Sequence, residues 1–429
     1  MIASGVIAVW FAACSTPTPE PAPVPAPVAP VRVAKPVEVA PVVAFRLPTR
    51  VGTTPAPVAL DPQLLRARSV LAQVVVDHAR DPENPWAIVH GMLALGPTMK
   101  LTNDADPVDW MFEHYAQTVK LGDTELVTFP TRQGSALVEP HTDLILKAMT
   151  ETGFTPDRAV TVAGTHKTLG DLYRYSLWRA WAMGPTTGFQ EGSYNDTPWA
   201  LQGLAAWAPD GLAWVASGGR KMSMTGFTTA VVDTLQLETA EMVAAMDAGQ
   251  LVQKDSRKWL FRYTCGGQHL LQGAAYAVGR GFGTPNDRER VCQQLDLLVW
   301  RIDVELGAID PILGQPGTSP AISTVLLSQR LKFLGHWLET THKIGALGVC
   351  PLTERHTEAT TRVATELVRT VDALGALGIW ADVGAVQANK ELEPLRQNGA
   401  RQVYLDLVGD AAHAVHGIDL ATGTATIPY

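Results

Sequence analysis

The sequence predicts an all-α domain behind a long proline-rich leader, and three observations carry that prediction. Apolar residues recur at helical spacing in about a dozen segments after Leu60. Most of these segments are separated by turns containing glycine or proline. The first 58 residues have a different texture from the rest of the 429-residue chain, with proline at every second or third position through much of their length. The rest of the chain, about 370 residues, suits one large helical domain or two fused halves.

Residues 2–13, IASGVIAVWFAA, form a short apolar run that ends at Cys14. Small residues before a cleavage point suit a signal peptidase, and a cysteine directly after them suits lipidation. The run resembles a bacterial lipoprotein signal, with Phe11-Ala12-Ala13-Cys14 as its lipobox. That resemblance implies an anchor in lipid through Cys14, and Ser15 behind it favours the outer membrane. The alternative is an ordinary signal peptide with an incidental cysteine. Residues 1–14 are thus read as the signal segment and residues 15–58 as a disordered linker. Proline removes backbone donors and favours polyproline II, and at about 3.1 Å per residue such a tether reaches on the order of 100 Å.

The folded domain is expected from residue 59 to 429. Asp61-Pro62 and Asn84-Pro85 each pair a capping residue with proline at the first helical position. Further helices are expected at 107–119, 140–152, 168–183, 197–207, 228–247, 266–280, 286–307, 320–345, 353–374 and 390–415. Glu125 to Val138 and Arg158 to Ala163 read as extended, the first as a hairpin. Consecutive helices joined by short turns form antiparallel hairpins, which build either a closed α/α toroid or an open solenoid. A solenoid carries a sequence period of roughly 30 to 45 residues, and none is visible. The expectation is therefore an α/α toroid with minor β-hairpin insertions.

Composition excludes some functions. A net charge of -8 and the lack of any Lys/Arg-rich run argue against nucleic-acid binding, which needs a basic surface. No internal stretch reaches the roughly 18 to 20 apolar residues of a membrane span. Beyond Cys14 there are three widely spaced cysteines, Cys265, Cys292 and Cys350, enough for one bridge and one thiol. A G-x-S-x-G elbow, a P-loop, an H-E-x-x-H pair and a Rossmann glycine fingerprint are all missing from the sequence.

The densest polar constellation is Thr264-Cys265-Gly266-Gly267-Gln268-His269. Cys265 and His269 share a face if the segment is helical, and amides at a helix start favour a thiolate. Gly335-His336-Trp337-Leu338-Glu339 places a histidine and a carboxylate three apart, and His90 sits inside an apolar helix. Cys265, His269 and His336 suit zinc, with Glu339 or water as fourth ligand. Alternatively His269, His336, Glu339 and His90 supply a general acid and base, or the cysteine and histidines simply fill the core. Trp199, Glu191, Tyr194, Asp196 and His141 form a second group, aromatic faces beside carboxylates, that suits sugar stacking as well as helix packing.

The runs Cys265–His269, Gly335–Glu339 and Pro85–Gly91 are similar to those of a group of exported bacterial proteins associated with the α/α toroid of terpene cyclases and protein prenyltransferases. The resemblance spans residue 61 to the C-terminus. It implies that fold and directs attention to His90, Cys265, His269, His336 and Glu339, without implying an activity. The leading expectation is an envelope-tethered lipoprotein, facing the periplasm or the cell surface, whose cavity binds or modifies an envelope ligand, a glycan, by acid/base chemistry. The alternatives are a non-catalytic scaffold that binds an envelope protein and a zinc-dependent enzyme.

Overall fold

The computed structural model describes residues 39–47, 61–180, 196–425 and 427. Cys14 and most of the proline-rich leader lie outside the described residues. The chain is mostly helical. Its helices are α1 (Pro62–His78), α2 (Pro85–Leu95), α3 (Pro107–Tyr115), α4 (Leu144–Glu151), α5 (Leu169–Arg179) and α6 (Thr197–Trp207), then α7 (Met224–Asp247), α8 (Gln268–Gly279), α9 (Pro285–Leu313), α10 (Pro320–Ala346), α11 (Glu354–Ala376) and α12 (Gly399–Ala421). Among the described residues, the sheet content is four two-stranded antiparallel hairpins: β1–β2 (Gln117–Leu121, Thr124–Thr128), β3–β4 (Arg132–Gln133, Ala136–Leu137), β5–β6 (Ala159–Val162, Thr165–Thr168) and β7–β8 (Ala213–Ala216, Arg220–Ser223).

The helix starts arise from local chemistry. Helices α1, α2, α3, α9 and α10 all begin with proline behind a polar cap: Asp61, Asn84, Asp106, Thr284 or Ser319. Each cap's side chain accepts a hydrogen bond from a first-turn amide. The helix expected over 107–119 stops at Tyr115 instead. Strand β1 takes over at Gln117 because its β-branched Thr118 and Val119 pair with Val127 and Leu126 across a turn at Gly122, φ 60°. Two hairpins, β5–β6 and β7–β8, occur where the sequence suggested one short extended run or none.

The helices fall into two sets. Those with even numbers are buried nearly all round: every residue of α6, Gln268 to Val278 of α8 and nearly all of α12. Odd-numbered α11 buries one face only, as an amphipathic outer helix does. The buried helices also neighbour one another in sequence order. Helix α4 packs on α6, α6 on α8, α8 on α10, α10 on α12, α12 on α2 and α2 on α4, so the series of contacts returns to its start.

The tightest of these pairings is α10 on α12, and glycine makes it possible. A Cβ on Gly417 would lie 2.8 Å from both the Glu339 amide nitrogen and the Gly335 carbonyl oxygen, while one on Gly335 would lie 3.0 Å from Ala414 Cα. The two backbones touch there, which brings His413 and His416 of α12 against Glu339. A disulfide joins Cys292 of α9 to Cys350 beyond α10, with a Cα–Cα separation of 5.6 Å.

Residues 39–47, read from the sequence as part of the spacer, lie against the helical body. Pro41 O accepts a hydrogen bond from Arg174 Nε at 2.8 Å, and the Arg46 amide donates to Trp207 O at 3.1 Å. Phe45 sits edge-on to Tyr173 and Trp207. A short apolar run between prolines thus finds a groove beside α5 and α6.

Gly417→Ala is expected to lower unfolding free energy by about 1–3 kcal/mol, the cost of overpacking a site that cannot collapse further. A urea melt with an unchanged m-value would measure it, and a loss near zero would refute the close-contact argument.

Candidate metal centre

Each even-numbered helix sends polar side chains to one buried region. Helix α2 contributes His90, α4 Lys147 and Glu151, α6 Gln202, α8 His269 and Gln272, α10 His336, Glu339 and Lys343, and α12 His413 and His416; each of these is at most 9% exposed. Polar groups removed from water must be partnered or serve a ligand, so this concentration calls for a reason.

The geometry is built outward from Glu339. One carboxylate oxygen, Oε2, accepts from His413 Nδ1 at 2.9 Å, from Gln272 Nε2 at 3.2 Å and from His336 Nδ1 at 3.4 Å. The other, Oε1, accepts from Lys343 Nζ at 2.8 Å and His416 Nδ1 at 2.9 Å. Lys343 continues to Glu151, which also pairs with Lys147 and accepts from Gln202 Nε2 at 2.6 Å. Burial alone would raise the Glu339 carboxyl, but Lys343, His413 and His336 outweigh it and hold the carboxyl well below the usual range. An ionised Glu339 requires a proton on Nδ1 of each bonded histidine, which leaves the Nε2 lone pairs facing away from it.

Cys265 occupies the other side of His336, its Sγ 2.9 Å from His336 Nε2. The sequence suggested one helical face for Cys265 and His269. Instead α8 starts only at Gln268, after three consecutive left-handed residues, Cys265 (φ 53°), Gly266 (φ 59°) and Gly267 (φ 76°). Two of the three are glycine, which adopts that conformation without steric cost, whereas the cysteine is strained. Arg301 of α9 holds the turn: its Nη1 donates to Gly266 O at 2.8 Å and its Nη2 to Glu305 at 2.7 Å.

Three ligand atoms, one each from Cys265, His269 and His336, lie within 4.8 Å of one another, and so do those of His336, Glu339 and His413. The His413 ring centroid is 3.9 Å from that of His336 and 5.3 Å from that of His269, and His90 lies 5.4 Å from His413. Burial, reinforced by neighbouring histidines, drives the imidazoles of His269 and His413 well below their ordinary value. Burial also lowers His336 and brings His90 to about 3. Neutral imidazoles are what a metal ion binds, and Glu339 fixes the tautomer of His336. The first group therefore suits a metal. Glu339, expected as a possible fourth ligand, serves five donors and also stands within 4.8 Å of the ligand atoms of His336 and His413.

The second predicted group divides. Asp196 Oδ1 accepts from the Thr142 amide at 3.1 Å and lies 3.6 Å from His141 Nδ1, so it ties the start of α6 to the segment before α4. Glu191 and Tyr194 lie outside the described residues. Trp199 is buried, with the His269 ring 4.0 Å from its own and the His141 ring at 5.6 Å. Trp199 thus packs in the helical interior against two histidines, the packing role weighed beside sugar stacking. Sequence reasoning missed His413, His416, Lys147, Glu151 and Lys343. Their signal was a charged or imidazole side chain inside an otherwise apolar helix, as in LILKAMTE and HAVHG.

No protein family, curated protein or solved structure matches this chain.

Close by, Glu139 and Asp143 share Arg179, whose Nη2 is 2.9 Å from Asp143 Oδ1 and 3.5 Å from Glu139 Oε2. Burial outweighs Arg179, and Asp143 adds to it, so the Glu139 carboxyl is pushed from 4.5 up to about 8. Between those values the folded chain holds a proton that the unfolded chain has lost, so this stability is full below pH 4.5 and declines as pH rises toward about 8. Glu139→Gln should flatten that decline in thermal melts between pH 5 and 8, and an unchanged slope would contradict the assignment.

Proposed function

We propose that this chain is an exported, envelope-anchored enzyme whose helical domain is an α/α toroid with a zinc ion at its axis. The toroid reading rests on the even-numbered helices contacting one another in a series that closes, with the odd-numbered ones outside. Export is supported by the apolar run before Cys14, the proline-rich leader and the Cys292–Cys350 disulfide, a bond favoured outside the reducing cytosol.

The observation that carries the zinc reading is the convergence of Cys265, His269 and His336 within 4.8 Å on the side of His336 that faces away from Glu339. In a tetrahedral site with Zn–S about 2.3 Å and Zn–N about 2.0 Å, sulfur and nitrogen stand about 3.5 Å apart. The Cys265–His336 separation of 2.9 Å therefore needs to open by well under 1 Å. One cysteine and two histidines leave a fourth position for water, the arrangement of a catalytic rather than a structural zinc. Bound zinc would lower the pKa of that water and supply a hydroxide nucleophile or polarise a carbonyl. The reaction class this suits is hydrolysis of an envelope ligand. Glu339 would act as a positioning residue, keeping His336 in its ligating tautomer.

A second reading has its own observation. Cys265 Sγ, His336 Nε2 and Glu339 are in series, the arrangement of a thiol nucleophile, its base and the group that orients the base. In that chemistry Nε2 takes the thiol proton and the sulfur attacks an acyl carbon. The two readings use one cysteine and exclude each other.

Elemental analysis of the purified full-length chain is expected to find one zinc per chain, reduced at least tenfold by Cys265→Ser or His336→Ala. Cobalt substitution should give a sulfur-to-metal charge-transfer band that Cys265→Ser abolishes. Glu339→Gln should weaken metal affinity about 10- to 100-fold. A chain that takes up no metal, and whose Cys265 reacts rapidly with iodoacetamide at neutral pH, would overturn the zinc reading in favour of the thiol.

A further inference from the structure

The indole N–H of Trp199 faces a problem that the protein does not solve. Trp199 is 2% exposed, and among the described residues its buried Nε1 has no hydrogen-bond partner. An indole nitrogen only donates, so the partner it lacks is an acceptor. His269 lies against the same ring, 4% exposed, and its Nδ1 is also buried and unpartnered. Leaving such a group unpaired costs as much as losing a good hydrogen bond, and here two occur on neighbouring rings, one of them on the proposed zinc ligand His269. A second indole, Trp207, also lacks an acceptor, but its ring neighbours are Phe45 and Tyr173 rather than the metal-binding cluster.

Charge narrows the missing acceptor further. Lys147 is 2% exposed, and its Nζ stands 5.3 Å from the centre of the Trp199 ring. Lys147 and Lys343 are balanced by Glu151 and Glu339, so this buried quartet is neutral as a whole. A divalent ion with the Cys265 thiolate then leaves one uncompensated positive charge among neutral histidines. In a low-dielectric interior such a charge requires a monoanion nearby. Zinc-bound hydroxide would offset that charge in the resting site; a ligand carboxylate in its place would offset the charge and also give the indole its acceptor.

We propose that the region between Trp199, His269 and Lys147 is a binding subsite for a ligand carboxylate, seated beside the metal with Trp199 Nε1 as its donor. The inference deepens the zinc reading and rests on it for the charge argument, whereas the unpartnered indole stands independently. Burial restricts the anchored group to something small, either a free short-chain acid or the carboxylate end of a peptide.

Indole 15N–H spectra of the zinc-loaded full-length chain test this, with the Trp199 resonance assigned by its loss in Trp199→Phe. Acetate is expected to shift that resonance saturably, and acetamide, its neutral isostere, is not. Trp199→Phe should weaken acetate binding about tenfold or more, the effect of losing a hydrogen bond to a charged group, while retaining zinc by elemental analysis. Lys147→Met should weaken it as well. Acetylated dialanine binding more tightly than acetate would assign the carboxylate to a peptide end, and the reverse order to a small acid; either supports the subsite. Equal responses to acetate and acetamide, or full-strength acetate binding by Trp199→Phe, would overturn it. If the chain holds no zinc, the same titration on metal-free protein still decides: a saturable acetate shift keeps the subsite and discards the metal, and no shift discards both.

Discussion

A single buried carboxylate, Glu339, organises the interior. It accepts from three imidazoles, a lysine and a glutamine supplied by α8, α10 and α12. Its position is not adjustable, because Gly335 and Gly417 let the backbones of α10 and α12 come into contact at that level. With Glu339 ionised, the histidine tautomers are fixed, and with the tautomers set, His336 can offer a nitrogen only toward Cys265. Lys343, Glu151 and Lys147 then balance the charge and extend the network to α4. Breaking a buried pair by removing one partner is far costlier than never having built it, so these groups stand or fall together.

The Cys265 turn is the second constraint, and it is imposed from outside. Three left-handed residues in a row have no local reason to persist. The Arg301 guanidinium, fixed by Glu305, grips the Gly266 carbonyl and fills the space where a side chain at that position would project, with Nη2 only 2.6 Å from an added Cβ. Gly266 is thus required by an arginine on α9, and Gly267 by Leu260, whose Cδ2 would lie 2.8 Å from an added Cβ, rather than by anything the ligand does. Strain gathered at one cysteine while the surroundings are over-determined is the pattern of a functional site.

Much of the helical plan was legible in the sequence, because cap-proline pairs and a 3.6-residue apolar period report local physics. The Cys265–His269 and His336–Glu339 runs were legible as chemistry for a similar reason: glycines and ionisable residues interrupt apolar surroundings. Their joint geometry was not. Whether Glu339 binds a metal or orients its ligands depends on His413 and His416, more than seventy residues away in the chain, and on a helix crossing set by two glycines. For Trp199 the sequence left packing and stacking open for a related reason. A tryptophan near carboxylates reads as a sugar platform until its neighbours are known, and those neighbours come from α8 and the segment before α4. Strand β5 falls inside the run read as extended, whereas β6 and the β7–β8 hairpin were not legible, being short and selected by tertiary packing rather than propensity.

The dispersal of the centre along the chain has a kinetic consequence. Cys265 and His336 are 71 residues apart, and the helices that frame them run from His90 to His416. Contacts of such long sequence separation form late, after most of the chain has been ordered. A polypeptide still threading through a membrane would therefore present isolated thiols and imidazoles, each a weak ligand, and no chelate. On the proposed zinc reading, loading would be an event of the finished fold, and the compartment where folding completes would set which ion the protein meets.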